Sequence, residues 1–256
     1  MSLLAVRGLD KRFGGVHAVD DVSFDVHQQT IKALIGPNGA GKSTVFNLLT
    51  GFDRPDAGSA VFDGEDLIGR APHEVVGRGV ARTFQESRLF DTMTVEDNVL
   101  VGMHLHLRAS VLASALGLPR VRAEETEARE RAAHVMRLVG IEQHRHVRAG
   151  DLPHGIRRLV EVARALATRP QLLLLDEPAA GLDGRETEEL AQALLRIKDT
   201  GVTLLVVEHD MGLVMEVSDE IVVIDQGRKI AEGPPLLIQK DPAVLEAYLG
   251  EVAEHA

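Results

Sequence analysis

One short segment, GPNGAGKST at residues 36–44, constrains the fold of this chain more than any other feature. It matches the pattern G-x-x-x-x-G-K-[ST], follows the apolar run IKALIG and precedes VFNLL, which has the composition of a helix start. Glycines let backbone N–H groups turn inward around phosphate oxygens, and the helix N-terminus adds the positive end of its dipole. A strand–loop–helix context is the one that this pattern requires, so the segment predicts a phosphate-binding loop in an α/β fold.

Two residues of the loop have predicted chemical roles. Lys42 would reach the β- and γ-phosphates of a nucleotide, and the Ser43 hydroxyl would hold Mg²⁺. The residues expected to contact the nucleotide in this segment are Gly36, Pro37, Asn38, Gly39, Ala40, Gly41, Lys42, Ser43 and Thr44.

The composition narrows the possible partners. The 256 residues carry a formal net charge of −11, which is the wrong sign for a general nucleic-acid binder. The chain has no cysteine, so disulfides and thiolate chemistry are excluded. The longest charge-free run, residues 109–119, is much shorter than the roughly 20 apolar residues that a membrane-spanning helix needs. No membrane span is therefore expected.

The order of secondary-structure patterns predicts one α/β domain with a helical insert in its middle. Short strands are expected at residues 22–26, 31–36, 59–64 and 80–84, and helices from Thr94, over 122–138 and over 157–169. Two apolar runs, 171–176 and 202–209, flank a helical pattern at 186–198 and predict a βαβ unit in a parallel sheet. A hairpin and a final helix capped by Asp241 are expected to follow.

The second chemical motif, LLLLDEP at residues 172–178, places two carboxylates at the end of a predicted buried strand. Ligands bind at the carboxyl edge of such sheets. Asp176 would coordinate Mg²⁺, and Glu177 would orient or deprotonate an attacking water. An acid pair in this position is otherwise often a helix cap or a turn, and the phosphate loop favours the chemical interpretation.

With four further segments and Phe13, the chain resembles the ATP-binding subunit of ABC transporters over nearly its whole length. Gln85 in RTFQESRLF matches the glutamine of the family's Q-loop, and His209 in VVEHDM matches its switch histidine. Residues 152–166 align with the signature segment and its helix, and AAGLD places Asp183 in the D-loop, which faces a partner subunit. Phe13 stands where the family stacks an aromatic ring on adenine.

The resemblance implies a P-loop NTPase (RecA-like) core, about residues 1–86 and 168–256, with an antiparallel β subdomain and an inserted helical subdomain at about 87–167. It implies hydrolysis of ATP with Mg²⁺ by a dimer of ATPase subunits, attached to membrane permease subunits at the cytoplasmic face of the membrane. A substrate-binding protein would act only indirectly, and no nucleic acid is expected. Lys42, Gln85, Glu177 and His209 would be catalytic, and Ser43, Gln85 and Asp176 would hold the metal.

One motif departs from the family pattern. Where the signature usually reads LSGGQ, this chain has LPHGI, with Pro153, His154 and Gly155 at the positions that would contact the ATP of the partner. Proline has neither a hydroxyl nor an N–H to donate. Pro153 would therefore weaken the site on the partner subunit, and hydrolysis would depend on which chain supplies the opposing signature.

Finer features resemble the LivG-type subunit of importers for branched-chain amino acids and related amino acid or amide solutes. They include DEPAAGLD, EHDM and the ending DPAVLEAYLG. In that family residues 87–95 would meet the membrane subunit, through Leu89, Phe90 and Met93. Local core packing is the alternative for these three side chains.

Two other functional classes remain open at this point. One is an ABC protein without a transporter, acting in translation or DNA repair; such proteins usually fuse two ATPase units or carry long coiled coils. The other is a weakly catalytic nucleotide-binding scaffold, which Pro153 makes conceivable and which the intact Lys42, Asp176, Glu177 and His209 oppose. A small-molecule kinase or GTPase fits less well, since neither explains Gln85, the signature segment and His209 together.

Overall fold

A computed structural model describes residues 2–85, 89–104 and 119–254. The strands are β1 Ser2–Phe13, β2 Val16–His27, β3 Ile31–Ile35, β4 Ala57–Phe62, β5 Glu65–Asp66, β6 Val80–Arg82, β7 Leu172–Asp176, β8 Thr203–Val207, β9 Glu220–Asp225 and β10 Arg228–Gly233. The helices are α1 Lys42–Leu49, α2 Pro72–Gly77, α3 Val95–Gly102, α4 Pro119–Val139, α5 His154–Leu166, α6 Gly184–Asp199, α7 Met211–Val217, α8 Pro235–Ile238 and α9 Pro242–Glu254. Residues 87–88 and 105–118, which belong to the predicted helical insert, lie outside the described residues.

A mainly parallel sheet forms the centre of the fold. Its strand order is β10-β9-β3-β8-β7-β6, with β10 antiparallel at one edge. β7 and β8 are parallel neighbours connected by α6, which confirms the predicted βαβ unit. All residues of β3, β7 and β8 are buried, as expected for strands covered on both faces.

The opening third forms a separate antiparallel sheet in the order β2-β1-β4-β5. Together with α1, it covers one face of the parallel sheet, in a hydrophobic cluster that includes Phe24, Phe46 and Leu174. Helices α3 to α6 cover the other face through a second cluster, which includes Met136, Leu175 and Leu194. The predicted fold class, a P-loop core with an antiparallel β subdomain and inserted helices, is confirmed.

Local signals placed several element ends correctly. The Thr94 hydroxyl accepts the N–H of Asp97 at 3.1 Å and caps α3, and the Asp241 carboxylate accepts the N–H of Ala243 at 2.9 Å at the start of α9. β6 ends at Arg82, two residues before the predicted strand end. Phe84 leaves the sheet there and packs edge-on against Phe52, with ring centroids 5.6 Å apart. Along the described part of the chain, no helix has the length and apolar character needed to cross a bilayer.

The closest packing in the helical part is between α3 and α5. A Cβ atom added at Gly102 would lie 2.1 Å from the carbonyl oxygen of Arg164, so the absence of a side chain lets the two helices approach. The contacting atom belongs to the backbone of α5 and cannot move aside without shifting that helix.

We expect Gly102→Ala to lower the free energy of unfolding by about 1–3 kcal/mol, because α3 must move away from α5 to admit the methyl group. Gly77→Ala is the matched control, since a Cβ at Gly77 meets nothing within 4 Å in α2. It should be neutral or stabilise by up to about 1 kcal/mol. Urea denaturation of both variants measures the difference, and equal stabilities would contradict this account of the α3–α5 contact.

Candidate nucleotide-binding site

The phosphate loop connects β3 to α1 and encloses a cradle of backbone groups. Gly41 has a φ of 103°. A Cβ there would lie 2.2 Å from the carbonyl oxygen of Ala18, so this position excludes a side chain for two reasons. Lys42 is almost fully buried, and its ammonium donates to the carbonyl oxygens of Gly36 at 2.7 Å and Pro37 at 2.8 Å. The predicted loop therefore forms a compact ring with its lysine at the centre.

A cavity of about 450 Å³ opens over this ring. Its lining consists of Val16, His17, Ala18, Asn38, Gly39, Ala40, Gly41, Lys42, Ser43, Thr44, Glu177 and Gln226. The structure thus brings Glu177, from the second motif, to the same cavity as the phosphate loop. Glycine N–H groups, a lysine and a helix N-terminus on one cavity wall are the chemistry that binds the phosphates of a nucleotide.

Phe13 does not belong to that lining. It lies at the end of β1, half exposed, with the Lys11 ammonium 5.1 Å from its ring centroid. Val16, its partner across the β1–β2 hairpin, lines the cavity instead. The stacking of an adenine on Phe13 stays a prediction. Val16 is an apolar side chain that does line the cavity.

Gln85 and Glu177 meet at the carboxyl edge of the sheet. The Gln85 carboxamide donates from Nε2 to Glu177 Oε2 at 3.0 Å, although 92 residues separate the two in sequence. Glu177 has a φ of 46°, and its N–H donates to the carbonyl oxygen of Val207 at 2.9 Å. That conformation is unusual for a side chain larger than glycine and is often found at functional sites.

Asp176 is buried one residue earlier and pairs with Arg82 at the end of β6. The Arg82 Nη2 to Asp176 Oδ2 distance is 2.8 Å, with both side chains less than a tenth exposed. Sequence patterns did not single out Arg82. A cation in the apolar strand VARTF is nevertheless a readable signal, because a buried arginine needs an acidic partner.

His209 lies just beyond β8 and presents a largely exposed imidazole. Its neighbour Glu208 is fully buried and was not predicted to have a role. The Glu208 carboxylate accepts N–H groups from Ala179 at 2.6 Å, His209 at 3.0 Å and Asp210 at 3.3 Å. Burial raises the pKa of Glu208, against the effect of these three hydrogen bonds. Glu208 therefore links the backbone of His209 to the segment that follows Glu177.

The signature and D-loop residues meet on another surface of the chain. Pro153 is the N-cap of α5, and the Gly155 N–H donates to Glu186 Oε1 at 3.1 Å. Asp183 caps α6 by accepting the Glu186 N–H at 2.8 Å. Glu186 was not predicted from the sequence, and it links the signature helix to the D-loop. His154 Nε2 lies 3.2 Å from the carbonyl oxygen of Ala180, in the same segment.

The donor chemistry in and beside the cavity fits a magnesium ion. Ser43 lines the cavity, whereas Asp176 and Gln85 do not: Asp176 precedes Glu177 in the chain, and Gln85 is hydrogen-bonded to Glu177. Ser43 offers a hydroxyl oxygen, Asp176 a carboxylate and Gln85 a carboxamide oxygen, all of the hard type that Mg²⁺ prefers. These side chains come from the start of α1, the end of β7 and the segment after β6. The fold and the site together define an ATP-binding cassette: a P-loop core with a glutamine, an acid pair and a histidine after successive strands of its sheet.

Comparison with known proteins identifies the family. The ABC transporter profile matches residues 19–180, and the profile of the branched-chain amino acid ATP-binding cassette transporter matches residues 228–254. The chain therefore belongs to the ABC transporter family.

Relatives and solved structures match nearly the whole chain. The high-affinity branched-chain amino acid transport ATP-binding protein BraF of Pseudomonas aeruginosa is 46% identical over 97% of this chain and 98% of its own. The corresponding LivG of Escherichia coli K12 is 44% identical over the same shares. A crystal structure of the ADP conformation of an ABC transporter's ATP-binding cassette is 33% identical, with a TM-score of 0.85 over 98% of this chain and 99% of its own.

The raised pKa of Glu208 predicts a pH-dependent contribution to stability. A carboxyl group whose pKa is raised by folding stabilises the folded state below its unfolded pKa, and this contribution is lost as pH rises through the folded pKa. Relative to the wild type, Glu208→Gln should therefore gain stability as pH rises above about 4.5. Denaturant unfolding at several pH values, without nucleotide, measures this difference.

Glu216→Gln is the control, because Glu216 is an exposed carboxylate on α7 of the same region. A stability difference between Glu208→Gln and the wild type that stays constant across the pH range would contradict the assignment.

Proposed function

We propose that this chain is the ATP-hydrolysing subunit of an importer for branched-chain amino acids or closely related solutes. The observation that carries the proposal is that the phosphate loop and Glu177 line the same cavity, with Gln85 hydrogen-bonded to Glu177. The names of the relatives and the match at residues 228–254 support the branched-chain substrate. The solute itself would bind other subunits, so its identity rests on this likeness.

Residues in and beside the cavity would bind different parts of the magnesium nucleotide. The N–H groups of residues 38–44 and the Lys42 ammonium would bind the β- and γ-phosphates. Lys42 would then exchange the carbonyl oxygens of Gly36 and Pro37 for phosphate oxygens. Ser43, Asp176 and Gln85 would hold Mg²⁺, which neutralises phosphate charge and aligns the phosphate oxygens. Val16 or Phe13 would contact the adenine.

Hydrolysis requires an ordered water opposite the leaving group. Glu177 would accept a hydrogen bond from that water, or its proton, while the Gln85 carboxamide holds Glu177 in place. The water oxygen bonds to the γ-phosphorus as the bond to the bridging oxygen breaks, which gives ADP and phosphate. His209 would donate to the γ-phosphate, and its exposed imidazole is free to reach a bound nucleotide.

The second half of each site would come from another ATPase subunit. Pro153, His154 and Gly155 would face the ATP of that partner, and Asp183 would lie in the dimer interface. The Gly155 N–H is held by Glu186 in this structure, so the partner's γ-phosphate would replace a carboxylate oxygen there. A dimer of this chain with itself or with a sister ATPase satisfies this arrangement.

A groove between the core and the inserted helices suits the permease. A cavity of about 400 Å³ is lined by residues of α2, β6, α3 and α5, Arg82 among them, and by Phe84 and Phe90 from the chain between β6 and α3. Phe90 and Met93 are exposed, whereas Leu89 packs against the core. We infer that Phe90 and Met93 contact the permease and that Leu89 holds the segment in place. The chain would then lie at the cytoplasmic face of the membrane, and the substrate-binding protein would reach it only through the permease.

Glu177→Gln should reduce ATP hydrolysis by about 10²–10⁴-fold, because the amide cannot accept the proton of the attacking water. Binding of ATP should persist. Phosphate release measured against protein concentration tests this prediction and the dimer together, since activity that needs a dimer rises faster than linearly. Full activity in the variant would contradict the role of Glu177. In a separate experiment, copurification of the wild-type chain with ribosomes instead of membranes would favour a function outside transport.

Pro153→Ser should raise the ATPase rate of the assembled complex, because the serine hydroxyl adds a hydrogen-bond donor to the partner's site. The gain should reach about tenfold if one such bond forms in the transition state. Leu236→Ala, which changes an exposed side chain of α8, is the control. An unchanged rate would refute a limiting role for the signature, and a very low rate in both proteins would favour the scaffold function.

A further inference from the structure

Arg82 has the most constrained charged side chain near the proposed metal site. Its guanidinium donates from Nη1 to Asn47 Oδ1 at 2.8 Å and to Thr50 Oγ1 at 3.0 Å, and from Nη2 to Asp176 Oδ2 at 2.8 Å. Three aromatic rings surround it at centroid distances of 5.2 to 5.7 Å: Phe46, Phe52 and Phe84. One side chain thus connects α1, β6 and the end of β7.

This arrangement holds the guanidinium through both terminal nitrogens, Nη1 to Asn47 and Thr50 and Nη2 to Asp176. Asn47 belongs to α1, the helix that begins with Lys42 of the phosphate loop, and Thr50 is the C-cap residue of that helix. The planar guanidinium can meet all three oxygens at once, which an ammonium group cannot do in the same geometry. The orientation of the Asp176 carboxylate is therefore tied to the helix that carries the phosphate-binding lysine.

We propose that Arg82 is a positioning residue that orients Asp176 for Mg²⁺. Arg82 holds Oδ2, so Oδ1 would be the oxygen available to hold the metal ion or a water bound to it. Partners of this kind, which contact a metal ligand and not the metal, typically change metal affinity by about 10–100-fold when they are removed. The inference rests on the proposed function, because it requires that the site bind a magnesium nucleotide.

The sign of the effect separates this role from simple electrostatics. Arg82 carries a positive charge close to the expected cation, so its removal strengthens metal binding if charge repulsion is its main influence. A positioning role gives the opposite result, because an Asp176 carboxylate without its partner loses its orientation. Arg82 also lines the groove that we propose as the permease contact, so a partner bound there would lie against the same guanidinium.

The test measures metal affinity without relying on activity. The purified full chain is saturated with ADP and titrated with Mn²⁺ as the probe. Electron paramagnetic resonance measures the concentration of unbound Mn²⁺. ADP affinity in EDTA is measured separately by calorimetry. For Arg82→Met we expect Mn²⁺ affinity to fall about 10–100-fold, with ADP affinity in EDTA changed by less than about twofold. Arg82→Lys should fall between this variant and the wild type.

Two further variants keep the test decisive. Asn47→Ala loosens the guanidinium without leaving Asp176 unpaired, and should weaken Mn²⁺ in the same direction by a smaller factor even if Arg82→Met fails to fold. Arg78→Met is the matched control, since it removes an arginine from a 2.8 Å pair with Glu65 at the end of α2. It should match the wild type.

Unchanged or tighter Mn²⁺ binding in Arg82→Met and Asn47→Ala would overturn the inference. If Mn²⁺ affinity and ADP affinity in EDTA fell by the same factor, the inference would also be overturned, because equal losses indicate a general structural role. A wild-type chain that binds neither ADP nor Mn²⁺ would refute the proposed function itself.

Discussion

The parallel pairing of β3, β8 and β7 is the interaction on which the candidate site depends. In-register parallel strands end at a common edge, and Asp176 lies directly opposite Val207 of β8. Glu177 and His209 therefore emerge close to the loop that follows β3, although they follow Lys42 by 135 or more positions in sequence. Backbone hydrogen bonds between buried strands resist sliding, because a shift by one residue exchanges the two faces of a strand. The geometry of the site is thus set by the most buried part of the molecule.

Three neighbouring carboxylates at this edge differ in burial, and burial decides what each can do. Asp176 is buried with an arginine, and Glu208 is buried with three backbone N–H groups. Both are held in fixed positions, because a buried charge without partners is strongly unfavourable. Glu177 reaches the cavity, and its carboxylate accepts a hydrogen bond from the neutral carboxamide of Gln85, so under the proposed function it is the one placed to accept a proton from water. One edge thereby holds two carboxylates that maintain geometry and one that is suited to react.

The features that could be predicted from the sequence are those that local physics determines. A glycine-rich turn, an N-cap such as Thr94 and a strand buried on both faces each leave a pattern within about ten residues. Arg82, Glu208 and Glu186 were missed, because each has a hydrogen-bond partner that only the fold brings close, at sequence separations of 94, 29 and 31 residues. The role of Phe13 at the adenine stays a prediction: Val16, its partner across the hairpin, lines the cavity, and Phe13 does not.

Glu186 bears on how the two halves of a composite site would act together. Its carboxylate accepts the Gly155 N–H through Oε1 and the Asp183 N–H through Oε2, at 3.1 and 3.2 Å. The signature and the D-loop therefore share one anchor, and a phosphate that replaces Glu186 at Gly155 would also release a bond at Asp183. Pro153 contributes no donor to that exchange. In a dimer with a sister ATPase that retains the serine, the site built on this chain's Lys42 and Glu177 would be the better equipped of the two. Such a pairing would concentrate hydrolysis in one of two sites while both bind ATP.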